Sequence, residues 1–214
     1  MRRNRRGFTL IELLVVIGVI AALAAVVIGG LRGADKSTAL RSAQATVVNL
    51  LATARSKAMS SGRDVLLLVN HNVADAERFR RMLAVVDKDD VTLVHVVAFL
   101  PDGTYVVPYK DRFGPAMIQS GDLWDGDSLA SSALSATVTR SIQGVASELW
   151  ESFPVTPEGT TGQQGKIVIT TGRSLSPAEE NTGYPIVLVS PDQVRGVMIS
   201  GYGLARMIND RSGF

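Results

Sequence analysis

The sequence predicts an α+β protein, a long N-terminal hydrophobic helix packed on an antiparallel β-sheet domain. Three observations point there. Residues 8–31 are almost uninterruptedly apolar. Leu40, Ala43, Val47, Leu50, Leu51, Ala54 and Ala58 then recur at steps of three and four, and from Val65 onward short β-branched runs alternate with Gly, Pro and Asp clusters. The first pattern suits a buried or membrane helix, the second one apolar helix face, and the third a set of strands. One helix followed by strands is the α+β arrangement.

The N-terminal element comes in two parts. Residues 1–7 carry Arg2, Arg3, Arg5 and Arg6 and end in Gly7. Phe8 to Leu31 spans roughly 24 positions, which at ~1.5 Å each match a hydrocarbon core of ~30 Å. The arginines lie before this segment, so the positive-inside rule keeps the N-terminus cytoplasmic and puts the remaining chain across the membrane. Glu12 interrupts the apolar run. A carboxylate there costs about 2.5–3.5 kcal/mol on insertion scales, so it needs a partner, and that need points to assembly. A plain anchor, or a secretory signal cut near Ala22-Leu23-Ala24, accounts for the apolar length. Neither accounts for Glu12 or for a Gly-Phe junction directly after the arginines.

Gly29-Gly30 and Gly33 interrupt the apolar run; each interior glycine costs about 1 kcal/mol relative to alanine, so the Gly29-Gly30 pair would either loosen the helix or allow close packing against a neighbour. Helical periodicity resumes through an amphipathic half, residues 32–62, and Ser61-Gly62 provides the stop. The β-rich domain occupies 63–214. Strands are expected at 65–69, 82–86, 91–100, 105–107, 166–170, 186–189, 194–200 and 203–208. Pro101-Asp102-Gly103 is expected to close a hairpin between the third and fourth. Residues 72–80 read as a loop or short helix, 141–150 as a short helix and 154–165 as a loop.

Gly7-Phe8-Thr9-Leu10-Ile11-Glu12-Leu13 closely resembles the class III signal of type IV pilins and type II secretion pseudopilins. The resemblance implies a pilin-like fold, prepilin peptidase cleavage between Gly7 and Phe8, and N-methylation of Phe8. Glu12 would be the fifth mature residue, the position that attracts a neighbour's N-terminal amine during filament assembly. Helical residues four apart share a face, and a buried carboxylate facing an ammonium is far cheaper than either alone. Gly29 stands where the family often has proline. Leu50-Leu51-Ala52-Thr53-Ala54-Arg55-Ser56-Lys57-Ala58-Met59 followed by Val65-Leu66-Leu67 is similar to the GspH/FimT group. Leu100-Pro101-Asp102-Gly103 and Phe153-Pro154-Val155-Thr156-Pro157-Glu158-Gly159 resemble turns of the same group.

The implied role is a non-enzymatic minor pseudopilin at or near the tip of a type II secretion pseudopilus. The alternative is a FimT-like minor type IV pilin in pilus assembly or DNA uptake. Implied partners are other pilins or pseudopilins, prepilin peptidase, the bacterial inner membrane and secreted cargo. The C-terminal domain would be periplasmic, and no cofactor is implied.

The formal charge is +2, but residues 1–7 hold four arginines, so the chain without them carries −2. The basic balance therefore gives no support to nucleic-acid binding. There is no cysteine, which rules out thiol chemistry and disulfide stapling. His95 lies in an apolar run and His71 in a polar turn, without the strand-turn-helix elbow of a nucleophile. Gly201-Tyr202-Gly203 lacks the third glycine of a dinucleotide fingerprint and reads as a turn. Asp122, Asp125 and Asp127 would offer oxygen ligands to calcium, but without EF-hand order, so a solvated acidic loop is the simpler account. Arg195, Arg206 and Arg211 would contact phosphate only if they shared one face. A charged sheet edge that discourages strand pairing is the competing account. Trp124 and Trp150 read as loop anchors or contact residues.

Overall fold

A computed structural model describes residues 10–90, 92–118, 124–125, 128–142, 147–176, 183–189 and 191–214, with side chains at all of these except 22–34 and 115. The chain divides into two compact units, residues 1–37 and 38–214. Helix α1, Leu10–Ser61, runs through the glycines at 29, 30 and 33 without a break. It ends as the sequence predicts. Gly62 adopts φ +67° and its N–H returns to the Ala58 carbonyl at 3.0 Å, a left-handed cap that glycine makes without steric cost.

In the second unit, all seven residues of the helical stripe are buried, none more than 6 % exposed. They enter a core shared with the inner faces of two antiparallel sheets. The first sheet has the order β3-β2-β1-β6-β5, built from Val94–Phe99, Met82–Asp87, Val65–Asn70, Glu148–Val155 and Ala136–Arg140. The second has the order β10-β9-β7-β4, built from Ala205–Ile208, Val194–Ile199, Gly165–Ser174 and Thr104–Val106, and β8 (Ile186–Leu188) pairs with β7. Val65, Leu67 and Val69 alternate toward the helix, while Leu66 and Leu68 join Trp150 and Ile142 in a second cluster on the opposite face. Both faces of β1 are thereby covered. This explains its unbroken apolar run, where a half-exposed strand would alternate. A third cluster, with Phe79, Tyr105, Met117, Leu129 and Val168, covers the far side of the second sheet.

Three expectations are corrected. The Pro101-Asp102-Gly103 turn forms, with Thr104 N–H on the Pro101 carbonyl at 3.1 Å, but it does not join a hairpin. β3 pairs with β2 in one sheet and β4 with β7 in the other, so this turn carries the chain between sheets. Residues 148–150, assigned above to a short helix, open β6, while 143–146 lie outside the described residues. Pro154 and Val155, assigned to a loop, finish that strand. Pro154 pairs with Leu66 on one side, whereas β5 reaches only as far as Ser152 on the other. Its missing N–H therefore leaves no ladder bond unmade. β5 has no counterpart in the sequence reading.

Candidate functional site: the N-terminal helix and a buried ion cluster

Gly7 and Phe8 lie outside the described residues. Glu12 sits in the first turn of α1, and every described side chain from Leu10 to Ala21 is exposed, with Leu10 at 89 %. A helix apolar on all sides is at equilibrium only when something apolar surrounds it, whether lipid or neighbouring helices. Among the described residues no helix is long and apolar enough to cross a membrane. The predicted span, 8–31, lies partly outside them, at residues 8–9 and at the side chains of 22–31.

The best-built polar constellation of the second unit was not anticipated from the sequence. Glu151, on the inner face of β6, is completely buried between the sheets. Its Oε2 lies 2.7 Å from Nη2 of the equally buried Arg80, an ion pair whose N–H directions lie off the line joining the atoms. Its Oε1 accepts from Arg112 Nε at 2.6 Å and from the Tyr109 N–H at 3.3 Å. Arg80 adopts φ +61°, unusual for a side chain with a Cβ. From there its N–H reaches the Asn70 carbonyl of β1, and its carbonyl accepts the Val106 N–H of β4, both at 3.0 Å. Arg80 Nε also donates to the Val106 carbonyl at 2.9 Å. One residue thus joins the two sheets, and Glu151 neutralises it.

His71 Nδ1 lies 3.3 Å from Arg80 Nη1 and accepts from it. Burial, reinforced by the Arg80 charge, lowers the His71 pKa to about 4, so the ring is neutral at pH 7. Burial alone would raise Glu151, but Arg80 and Arg112 outweigh it and hold its carboxyl below the usual carboxylate range. A titratable cluster in a cleft would suggest catalysis. Here the charges are committed to one another and to backbone carbonyls, and the chemistry is that of a structural clamp.

The remaining predicted residues scatter. His95 lies on β3, its pKa lowered by burial and then by Lys57. Asp122 and Asp127 lie outside the described residues, and Asp125 is exposed, closing a turn through the Leu129 and Ser128 N–H groups. Arg206 pairs in register with Met198, three residues from Arg195, so the two arginines project from opposite faces of the sheet. Arg211 is bonded to Asp192 at 3.0 Å. The three arginines do not form one phosphate-binding face. Both tryptophans serve as anchors. Trp150 is buried and donates to the Arg140 carbonyl, and Trp124 packs edge-on against Phe113.

Residues 2–28 match the family profile described as the prokaryotic N-terminal methylation motif. No curated protein and no solved structure matches the chain. The motif is that of type IV pilin and pseudopilin precursors, which are structural filament subunits, and the match covers the N-terminal segment of the chain. In such precursors the motif goes with prepilin peptidase processing and with assembly of subunit upon subunit from an inner-membrane anchor.

Proposed function

We propose that the chain is a minor pseudopilin of a type II secretion system, a structural subunit at or near the pseudopilus tip that aids protein export. The observation that carries assembly is the apolar first part of α1, exposed on every described side and bearing Glu12 in its opening turn. Lateral packing of such helices removes their apolar surface from water, and Glu12 sets register against the methylated Phe8 amine of a neighbour. The narrower assignment is supported by the GspH/FimT-like stretches. Leu50–Met59 lies in the closing turns of α1, and Val65–Leu67 begins β1.

Mass spectrometry of the N-terminal peptide from native membranes tests processing, and the expected chain begins at N-methyl-Phe8. A chain beginning near Ala25, or one retaining Met1, would refute it. Glu12→Leu should insert normally yet enter filaments poorly, and normal incorporation would remove the register role. Deletion should abolish export of secreted proteins while leaving pili intact. The opposite pattern would move the chain to the type IV pilus.

A further inference from the structure

Along one side of the second unit, the later part of α1 and the edge strand β10 leave an open seam. One end is a groove of about 630 Å³ walled by Leu51, Arg55 and Met59 of the helix and Leu204 of the β9–β10 turn. The other is a hollow of about 420 Å³ between Arg41 and Gln44 of the helix and Arg195, Met207 and Asn209 of the sheet. Later helix residues face 203–205 and earlier ones face 207–209, so the two hollows are ends of one seam. From 41 to 60 it runs about 28 Å at 1.5 Å per residue.

The seam combines two chemistries. Met59, Leu204 and Met207 are 56, 60 and 47 % exposed, an apolar strip without cover. Arg41, Arg55 and Arg195 supply positive charge, and among the described residues no carboxylate lines either hollow. Several other arginines are neutralised. Arg80 and Arg112 share Glu151, Arg78 has Glu148 and Asp75, and Arg63 has Asp87. Arg195 is different. Its Nη1 is held by the neutral amide oxygens of Asn209 at 2.9 Å and Gln44 at 3.4 Å. Gln44 is itself fixed, its Nε2 donating to the Gly196 and Ile208 carbonyls at 2.7 and 2.8 Å. The guanidinium is thus immobilised with its full charge uncompensated, and Arg41 beside it has no partner among the described residues.

We propose that this seam docks an acidic amphipathic segment of a partner polypeptide, its apolar residues in the groove and a carboxylate on Arg195 and Arg41. The charge is complementary, the guanidinium fork suits a carboxylate, and an amphipathic segment lying in an apolar groove is a common recognition mode. A nucleic acid fits less well. Its backbone needs a row of cations, whereas Arg206 projects from the other face of the sheet and Arg211 is joined to Asp192. The apolar strip would also go unused. The inference does not rest on the assembly reading, because the first part of α1 takes no part in it.

The test is methionine-methyl NMR on the full chain in lipid nanodiscs. Met59 reports the groove, Met207 the hollow, and Met198 on the opposite face is the control. The probe is a capped twelve-residue peptide of leucines and glutamates at helical spacing. Comparison probes are its glutamine counterpart, a twenty-nucleotide single strand and inorganic phosphate. Saturable shifts of Met59 and Met207 but not Met198 are expected with the acidic peptide. Affinity should fall at least tenfold for the glutamine peptide and for Arg195→Gln, and remain unchanged for Arg206→Gln. Arg41→Gln, on the exposed helix surface, should weaken binding severalfold with no risk to the fold. Equal binding of both peptides, silence at Met59, or shifts produced by the single strand or by phosphate and not by the peptide would each overturn the proposal.

Discussion

Replacing Glu151 by glutamine keeps the shape of the side chain and removes the one negative charge between Arg80 and Arg112. The two arginines respond differently. The Arg112 side chain is 22 % exposed and keeps the Leu134 carbonyl at 2.6 Å, so water and backbone take over much of its solvation. Arg80 is wholly buried and has nowhere to go. Leaving a buried ion without its counter-charge costs about 3–5 kcal/mol, against a total domain stability of about 5–15 kcal/mol. Urea unfolding of the full chain in detergent micelles, followed by tryptophan fluorescence, reads this directly, because buried Trp150 adjoins position 151. With a slope of about 1–3 kcal/mol per molar, the midpoint should fall by roughly 2 M with the slope unchanged. The double variant Arg80→Met/Glu151→Leu should recover much of the loss, since neither charge then remains stranded. A loss under about 1 kcal/mol for Glu151→Gln, or a double variant worse than the single one, would refute the clamp.

Acid should loosen the same region. His71 titrates at about 4 in the fold against 6.5 unfolded. Its contribution is therefore full above pH 6.5 and lost as pH falls toward 4, roughly 1–3 kcal/mol after solvent screening. Glu151, held low in the fold, contributes fully above its unfolded value of 4.5 and extends the loss to lower pH. His71→Gln should flatten the dependence of the urea midpoint between pH 6.5 and 4. Gly203→Ala places a Cβ 2.3 Å from the Gly159 carbonyl oxygen at φ +73° and should cost roughly 2 kcal/mol or more. Gly201→Ala, with open space around it, should stay within about 0.5 kcal/mol, and thermal melts compare the two. Gln44→Leu strips two buried carbonyls of their donor, at about 1–3 kcal/mol. Hydrogen exchange should then rise first in β10.

The helix and most strands were legible because their signals are local. The stripe from Leu40 to Ala58 is a periodicity that any core would use, and all of it is buried. β6 was hidden because Glu151, Ser152 and Pro154 break the apolar pattern of a strand. Glu151 is tolerated because two arginines neutralise it, and Pro154 because it lies beyond the end of β5. The Pro101-Asp102-Gly103 turn was read correctly as a turn and wrongly as a hairpin. Turn residues fix a local reversal and not the pairing of the strands that follow.

The sequence by itself determined the family motif, the carboxylate in the apolar helix, the amphipathic half that follows, and the alternation of strands and turns. All depend on neighbours within a few residues along the chain. Only the tertiary structure decided that two sheets share the helix, that Arg80 and Glu151 meet between them, and that Arg195 and Arg206 project from opposite faces. Pairings of this kind join residues as far apart as 164 positions, as in Gln44 with Ile208. Their free energy comes from burial and charge compensation across the fold, which no window of sequence contains.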